Sequence, residues 1–296
     1  MSKSLPPRVA LSLTILMWGC SFIASKIALR EISPVTLLFT RFALGTAFLF
    51  AILLWRKVNP LPPRSALPAL TLMGFIGIFV HHMLQGYGLT MTTALHTGWL
   101  IGIVPIWSAV LSALFLKEKF GKFKIIGLIG GFAGAILVIS RGELSTQSLQ
   151  LPSTSGDFLI LLSTLNWAVY SIIGHRTIKS LGATRATTGM MFLGWLMLIP
   201  FFLFERGWRE LPNLTASGWS SIIFLGVGCS GVGYLTWYSA LEQLEVSRVA
   251  AFLYVQPLIT LVAAVIFLQE KVTAPAIIGG LVVLLSVFVI QRAPNA

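Results

Sequence analysis

Residues Phe115 to Gly127 read FLKEKFGKFKIIG, and residues Phe267 to Gly279 read FLQEKVTAPAIIG, identical at seven of thirteen positions. Pro105 and Pro257 each stand thirteen residues before the repeated glutamates, Glu118 and Glu270. One unit is therefore written twice in this chain. A duplicated block of hydrophobic helices is a pattern of secondary transporters, whose substrate site lies where the two copies meet.

The composition agrees. The 296 residues are 56% hydrophobic and only 10% charged, with a mean hydropathy of +0.88, far from the roughly 25% charge of soluble domains. A bilayer core about 30 Å thick needs about 20 mostly apolar residues per helix, and lipid leaves no partner for unpaired backbone groups. The expected fold is all-α and polytopic, with ten transmembrane helices near 9–29, 34–55, 67–88, 93–116, 122–140, 157–177, 184–204, 215–240, 248–269 and 273–291. The longest polar stretch, 141–156, reads as the linker between a first five-helix repeat (1–140) and a second (157–296). The basic and apolar N-terminal stretch has the makings of a signal peptide, but its length, Trp18 and its counterpart in the second half make it helix one, retained.

The net charge of +12 invites a nucleic-acid partner, yet the basic residues are scattered among loops with no recognition module. Topology accounts for them. With ten helices, fourteen of the 21 Lys and Arg fall on the side of both termini and six on the other, leaving Arg41 within a span. The positive-inside rule then makes both termini cytoplasmic, and an odd number of helices per copy turns the second copy upside down relative to the first.

Ten helices in two five-helix repeats, each carrying P-x(12)-E-x(8)-G across its fourth and fifth helices, resemble the EamA type of the drug/metabolite transporter superfamily. The resemblance covers nearly the whole chain. Aromatic content and short loops look most like the bacterial exporters of aromatic amino acids. It implies a basket of inverted repeats around a central cavity in the bacterial inner membrane. It also implies export of small amino acids and related metabolites by alternating access.

A shift of 149 residues lays Thr14, Trp18, Ser21 and Ser25 over Ser163, Trp167, Tyr170 and Gly174, each set on one helix face. Such a polar and aromatic stripe faces either a cavity or a neighbouring helix. Helix three presents His81 and Gln85, with His82 and Tyr87 at its flanks, and helix eight presents Tyr234 and Trp237. Helices four and nine add His96, Trp99, Tyr254 and Gln256. Polar groups inside a membrane are costly enough to be candidates for function. Arg41 is either a snorkelling cation or an anchor for a substrate carboxylate. The candidate substrate-binding set is Trp18, Ser21, Arg41, His81, Gln85, Tyr87, Trp99, Trp167, Tyr170, Tyr234, Trp237 and Tyr254.

All nine acids fall at helix ends or in loops. Glu118 and Glu270 are expected to cap helix starts, and proton coupling through a buried carboxylate has no support, which leaves histidine as the one proton carrier within the spans. Pro105 and Pro257 are expected to interrupt their helices at matched depths, as hinges or as fixed bends. No histidine, cysteine or carboxylate spacing suggests a metal, and no nucleotide-binding or hydrolase motif occurs. The expected partners are a small-molecule substrate and the lipid bilayer, with no cofactor, nucleic acid or soluble protein. Export of cationic drugs or nucleotide sugars is the alternative, and a membrane enzyme or scramblase a more distant one.

Overall fold

A computed structural model of the chain describes residues 6–92, 97, 100–140, 155–259, 262 and 273–293, and these contain helices and connecting turns but no strand. In chain order the helices are α1 (Pro7–Ala28), α2 (Pro34–Trp55), α3 (Arg64–Met91), α4 (Val104–Leu116), α5 (Lys122–Ser140), α6 (Ser155–Leu181), α7 (Ala183–Phe204), α8 (Ala216–Leu241), α9 (Val246–Ile259) and α10 (Ala274–Arg292). Among the described residues, six of them (α1, α2, α3, α6, α7 and α8) are long and apolar enough to cross a membrane. Large apolar side chains such as Leu54, Phe115, Ile129, Phe204 and Leu285 stand exposed on the outside, where lipid is the natural solvent.

Local chemistry sets the helix starts. Ser33 caps α2 by accepting from the amide of Thr36, with Pro34 in the first turn, and Thr215 caps α8 by accepting from Gly218. Ser and Thr satisfy amides that have no intrahelical partner. The α4 helix ends at Lys117, whose left-handed backbone (φ 56°) turns the chain into the 117–121 loop.

Several acids complete the starts of helices distant in sequence. Glu31 accepts from the amide and hydroxyl of Thr215 at the start of α8. Glu210 accepts from the amide of Ser33 before α2. Glu242 accepts from the amide of Ala183 in α7. Glu118 accepts from the amides of Val246 and Ser247 and from the Ser247 hydroxyl. Glu118 therefore caps a helix as the sequence leads one to expect, but the helix is α9 in the other half of the chain. Glu270 lies outside the described residues.

Helices pair across the halves. α5 lies along α10, α2 along α7, α3 against α6 and α7, and α8 against α1 and α2. The α5–α10 contact is tight enough that a side chain at Gly134 would meet the carbonyl of Gly279 at 2.8 Å, the close approach that small residues permit in membrane helices.

Two interruptions recur in both halves. First, α3 passes through a π-helical stretch at Gly74–Val80, and α8 through one at Phe224–Gly233. A π turn inserts a residue into the ladder and loosens its hydrogen bonding. In each half a side chain from the other half's first helix takes one of those carbonyls: Asn166 Nδ2 donates to Ile76 O (2.7 Å) and Trp18 Nε1 to Cys229 O (3.1 Å). Second, Gly102 and Ile103 form a turn ahead of Pro105, and Phe252–Val255 form a 3-10 turn ahead of Pro257. Proline lacks an amide hydrogen and clashes with the carbonyl four residues back, so the break falls just before it.

A central aromatic cavity with one cation

These interruptions surround a single space. A cavity with about 610 Å³ of empty volume, mouth included, is lined by sixteen residues. α1 supplies Trp18, Ser21, Phe22 and Ser25; α2 supplies Arg41; α3 supplies His81, His82 and Gln85 just beyond its π stretch. α6 contributes Ser163, Thr164 and Trp167, and Tyr234 follows the π stretch of α8. The broken helices before Pro105 and Pro257 contribute Ile101, Val104, Leu253 and Gln256. Most of the lining falls in the later half of α1 and α3 and the earlier half of α2 and α6, which is the end of the molecule away from the chain termini.

Trp18 and Trp167, which the shift of 149 residues lays over one another, meet edge-to-face with ring centroids 5.4 Å apart. Tyr234 packs on both, at 5.6 and 5.9 Å. Such geometry is favourable for aromatic rings and rigid as a wall. Trp237 lies against Trp18 at 5.1 Å and Trp167 at 5.9 Å, but it is almost fully enclosed and does not line the space. Tyr170 likewise backs Trp167 (5.6 Å), and its ring occupies the space a side chain at Gly77 would need.

Polar groups adjoin these rings, His81 lying 4.9 Å from Trp167 between ring centres. Arg41 Nε donates to Ser230 Oγ at 2.8 Å, and its guanidinium carbon is 5.2 Å from the Phe42 ring centre. His81 Nδ1 is 3.1 Å from the carbonyl of Ser163; a carbonyl only accepts, so this nitrogen carries the hydrogen and the neutral ring keeps Nε2 as an acceptor. His82 Nε2 and the Tyr234 hydroxyl are hydrogen-bonded at 2.7 Å. Gln256 Nε2 donates to the carbonyl of Trp18 (3.1 Å). The indole N–H of Trp167 is buried without a hydrogen-bond partner among the described residues. The lining holds no carboxylate, and no group of three or more potential metal ligands occurs among the described residues.

Of the twelve candidates from the sequence, Trp18, Ser21, Arg41, His81, Gln85, Trp167 and Tyr234 are brought together here. Tyr170 and Trp237 stand one layer behind. Tyr87 is elsewhere, donating to Glu205 (3.1 Å). Tyr254 is buried against Gly131 and donates to Leu128 O (3.0 Å). Trp99, like His96, lies outside the described residues. Phe22, Ile101, Val104, Thr164 and Leu253 carry no signal in a hydrophobic sequence and are visible only from the fold.

The family model described as the EamA-like transporter family matches residues 9–140 and 154–292. The chain belongs to the EamA-like transporter family. It is 31% identical over 286 residues to an uncharacterized transporter of Archaeoglobus fulgidus, covering 96% of this chain and 98% of that one. The uncharacterized transporter YyaM of Bacillus subtilis is 27% identical over 91% of this chain and 88% of its own. A probable terminal-alkyne amino-acid exporter of Streptantibioticus cattleyicolor is 25% identical over 96% of this chain and 92% of its own. A crystal structure of a protein of 17% identity superimposes with a TM-score of 0.77, covering 96% of this chain and 95% of that one, which is a likeness of fold. This EamA-family chain is thus a multi-pass membrane protein of a transporter family.

Proposed function

We propose that the chain is a secondary transporter that exports small amino acids and related metabolites, aromatic ones included, by alternating access. The observation that carries the proposal is the meeting of Trp18 and Trp167, repeat-related residues 5.4 Å apart in the wall of a central cavity. In an inverted repeat the substrate site lies at the interface of the copies. The matched π stretches, the matched proline breaks and the pairing of α5 with α10 and α2 with α7 all support ten spans in two inverted five-helix repeats, 1–140 and 157–296. So does the double match of the family model. The charge asymmetry favours a bacterial inner membrane with both termini cytoplasmic.

The relative named as an amino-acid exporter supports the substrate class, and the aromatic wall suits a planar or apolar side chain. With no carboxylate in the lining, the substrate gradient sets direction. In proteoliposomes, labelled L-phenylalanine should show counterflow against unlabelled phenylalanine with the proton gradient collapsed. Counterflow of a quaternary amine or a nucleotide sugar without any amino acid would overturn the substrate class. Uphill accumulation driven by a pH gradient, and abolished by His81→Gln or His82→Gln, would overturn the gradient-driven mechanism.

A further inference from the structure

We infer that the cavity selects its substrate by a carboxylate, which Arg41 holds; this rests on the transport reading above and narrows it. Arg41 is 7% exposed, and among the described residues no carboxylate lies within ion-pair distance of it. A guanidinium removed from water without a counter-charge is strongly disfavoured in a membrane interior. Among the described residues the acids stand at helix ends or in the turns beside them, so the anion that would pair with Arg41 is sought in what enters the cavity.

The remaining groups agree in sign. Arg41 is the one formally charged side chain in the lining, and the two histidines add positive charge or none. Ser230 accepts from Nε, which fixes the guanidinium plane while the two terminal nitrogens keep their donors. A carboxylate is an acceptor-only group whose two oxygens match that fork. A substrate ammonium finds no anion in the lining, only ring faces and neutral acceptors such as the His81 nitrogen, the Gln85 and Gln256 amide oxygens and the hydroxyls. The site therefore favours carboxylates and zwitterions over purely cationic amines of the same shape.

Competition against labelled L-phenylalanine counterflow tests this with two probes of similar size, 3-phenylpropionate and phenethylamine. In the wild type the acid should compete, and the amine should be weaker by roughly tenfold or more, as expected for loss of a hydrogen-bonded charge contact. Arg41→Gln should erase that discrimination, and Arg41→Lys, a point charge without the fork, should keep part of it. Equal competition by acid and amine in the wild type would overturn the inference while leaving amino-acid transport standing. Discrimination that survives in folded Arg41→Gln would overturn the role of Arg41. If Arg41→Gln does not fold, the wild type and Arg41→Lys decide. If phenylalanine shows no counterflow, the amino-acid reading fails, and quenching of cavity tryptophan fluorescence by the same two probes tests the charge selection alone: quenching by the acid and not the amine upholds it, and any other pattern overturns it.

Discussion

The rim of this molecule and its centre treat charge in opposite ways. At the rim, acids find amides or cations: Glu31 and Glu210 hold the starts of α8 and α2, while Glu118 and Glu245 share Lys124 at 3.5 and 3.0 Å. At the centre Arg41 has a serine hydroxyl and no acid within reach among the described residues. The difference separates two kinds of work. Charges that meet within the protein hold helices in place, and a charge left open is, under the proposed function, one that waits for a ligand.

The largest expected effect comes from breaking a rim contact. Glu118→Ala removes the cap of α9 and one partner of Lys124, whose side chain is 3% exposed; losing a buried charged partner costs on the order of 3 kcal/mol. Thermal unfolding in detergent should show a marked fall in Tm, with the apparent affinity of the folded fraction for phenylalanine unchanged. Weakened binding at an unaltered Tm would erase the distinction between rim and centre.

The centre should respond the other way. Gln85→Ala and Trp167→Ala each remove about 1 kcal/mol of ligand contact, or roughly several-fold in affinity. Counterflow at subsaturating substrate should slow while the proteins insert and remain monodisperse. Normal transport by both variants would make the lining a packing surface.

The smallest effect is a pH dependence. Burial raises the pKa of Glu245, but hydrogen bonds from Arg248 and Lys124 outweigh it and hold the carboxyl below its usual 4.5. A lowered folded-state pKa contributes stability above the ordinary carboxylate value, and that stability is lost as pH falls through the lowered one. Between pH 6 and about 4 the wild type should therefore lose slightly more Tm than Glu245→Gln, the effect being small because much of this group meets solvent. A larger loss in the variant would show that the ion pairs are not the source.

The all-helical membrane fold and the polar groups were legible because hydropathy and hydroxyl or imidazole groups stand out in an apolar chain. Arg41, His81 and Gln85 announce themselves in this way, and Pro105 and Pro257 locate the breaks. The π stretches were not legible. Gly74 and Gly77 share a face with His81 and Gln85 at an ideal 3.6-residue period, but the inserted residue changes that register. Gly77 then receives the Tyr170 ring while His81 and Gln85 line the cavity. Lining residues such as Leu253 and Val104 look like any other apolar residue until the helix breaks beside them. Glu118 was legible as a cap, whereas its choice of α9 depends on how the halves dock.

That docking has a consequence for the order of manufacture. Of the seven acids among the described residues, six find a partner in the opposite half: Glu31, Glu118, Asp157, Glu205, Glu210 and Glu245; Glu118 and Glu245 also meet Lys124 and Arg248 in their own halves, and Glu242 bonds Ala183 in its own. Glu31 and Thr215 are 184 residues apart, an interval of about 10–40 s at ribosomal speed. For that time the newborn first half sits in the bilayer with its clasps open. A ribosome stalled between the halves would release a bundle lacking most of the hydrogen bonds that its acids make in the finished protein, a ready target for membrane quality control.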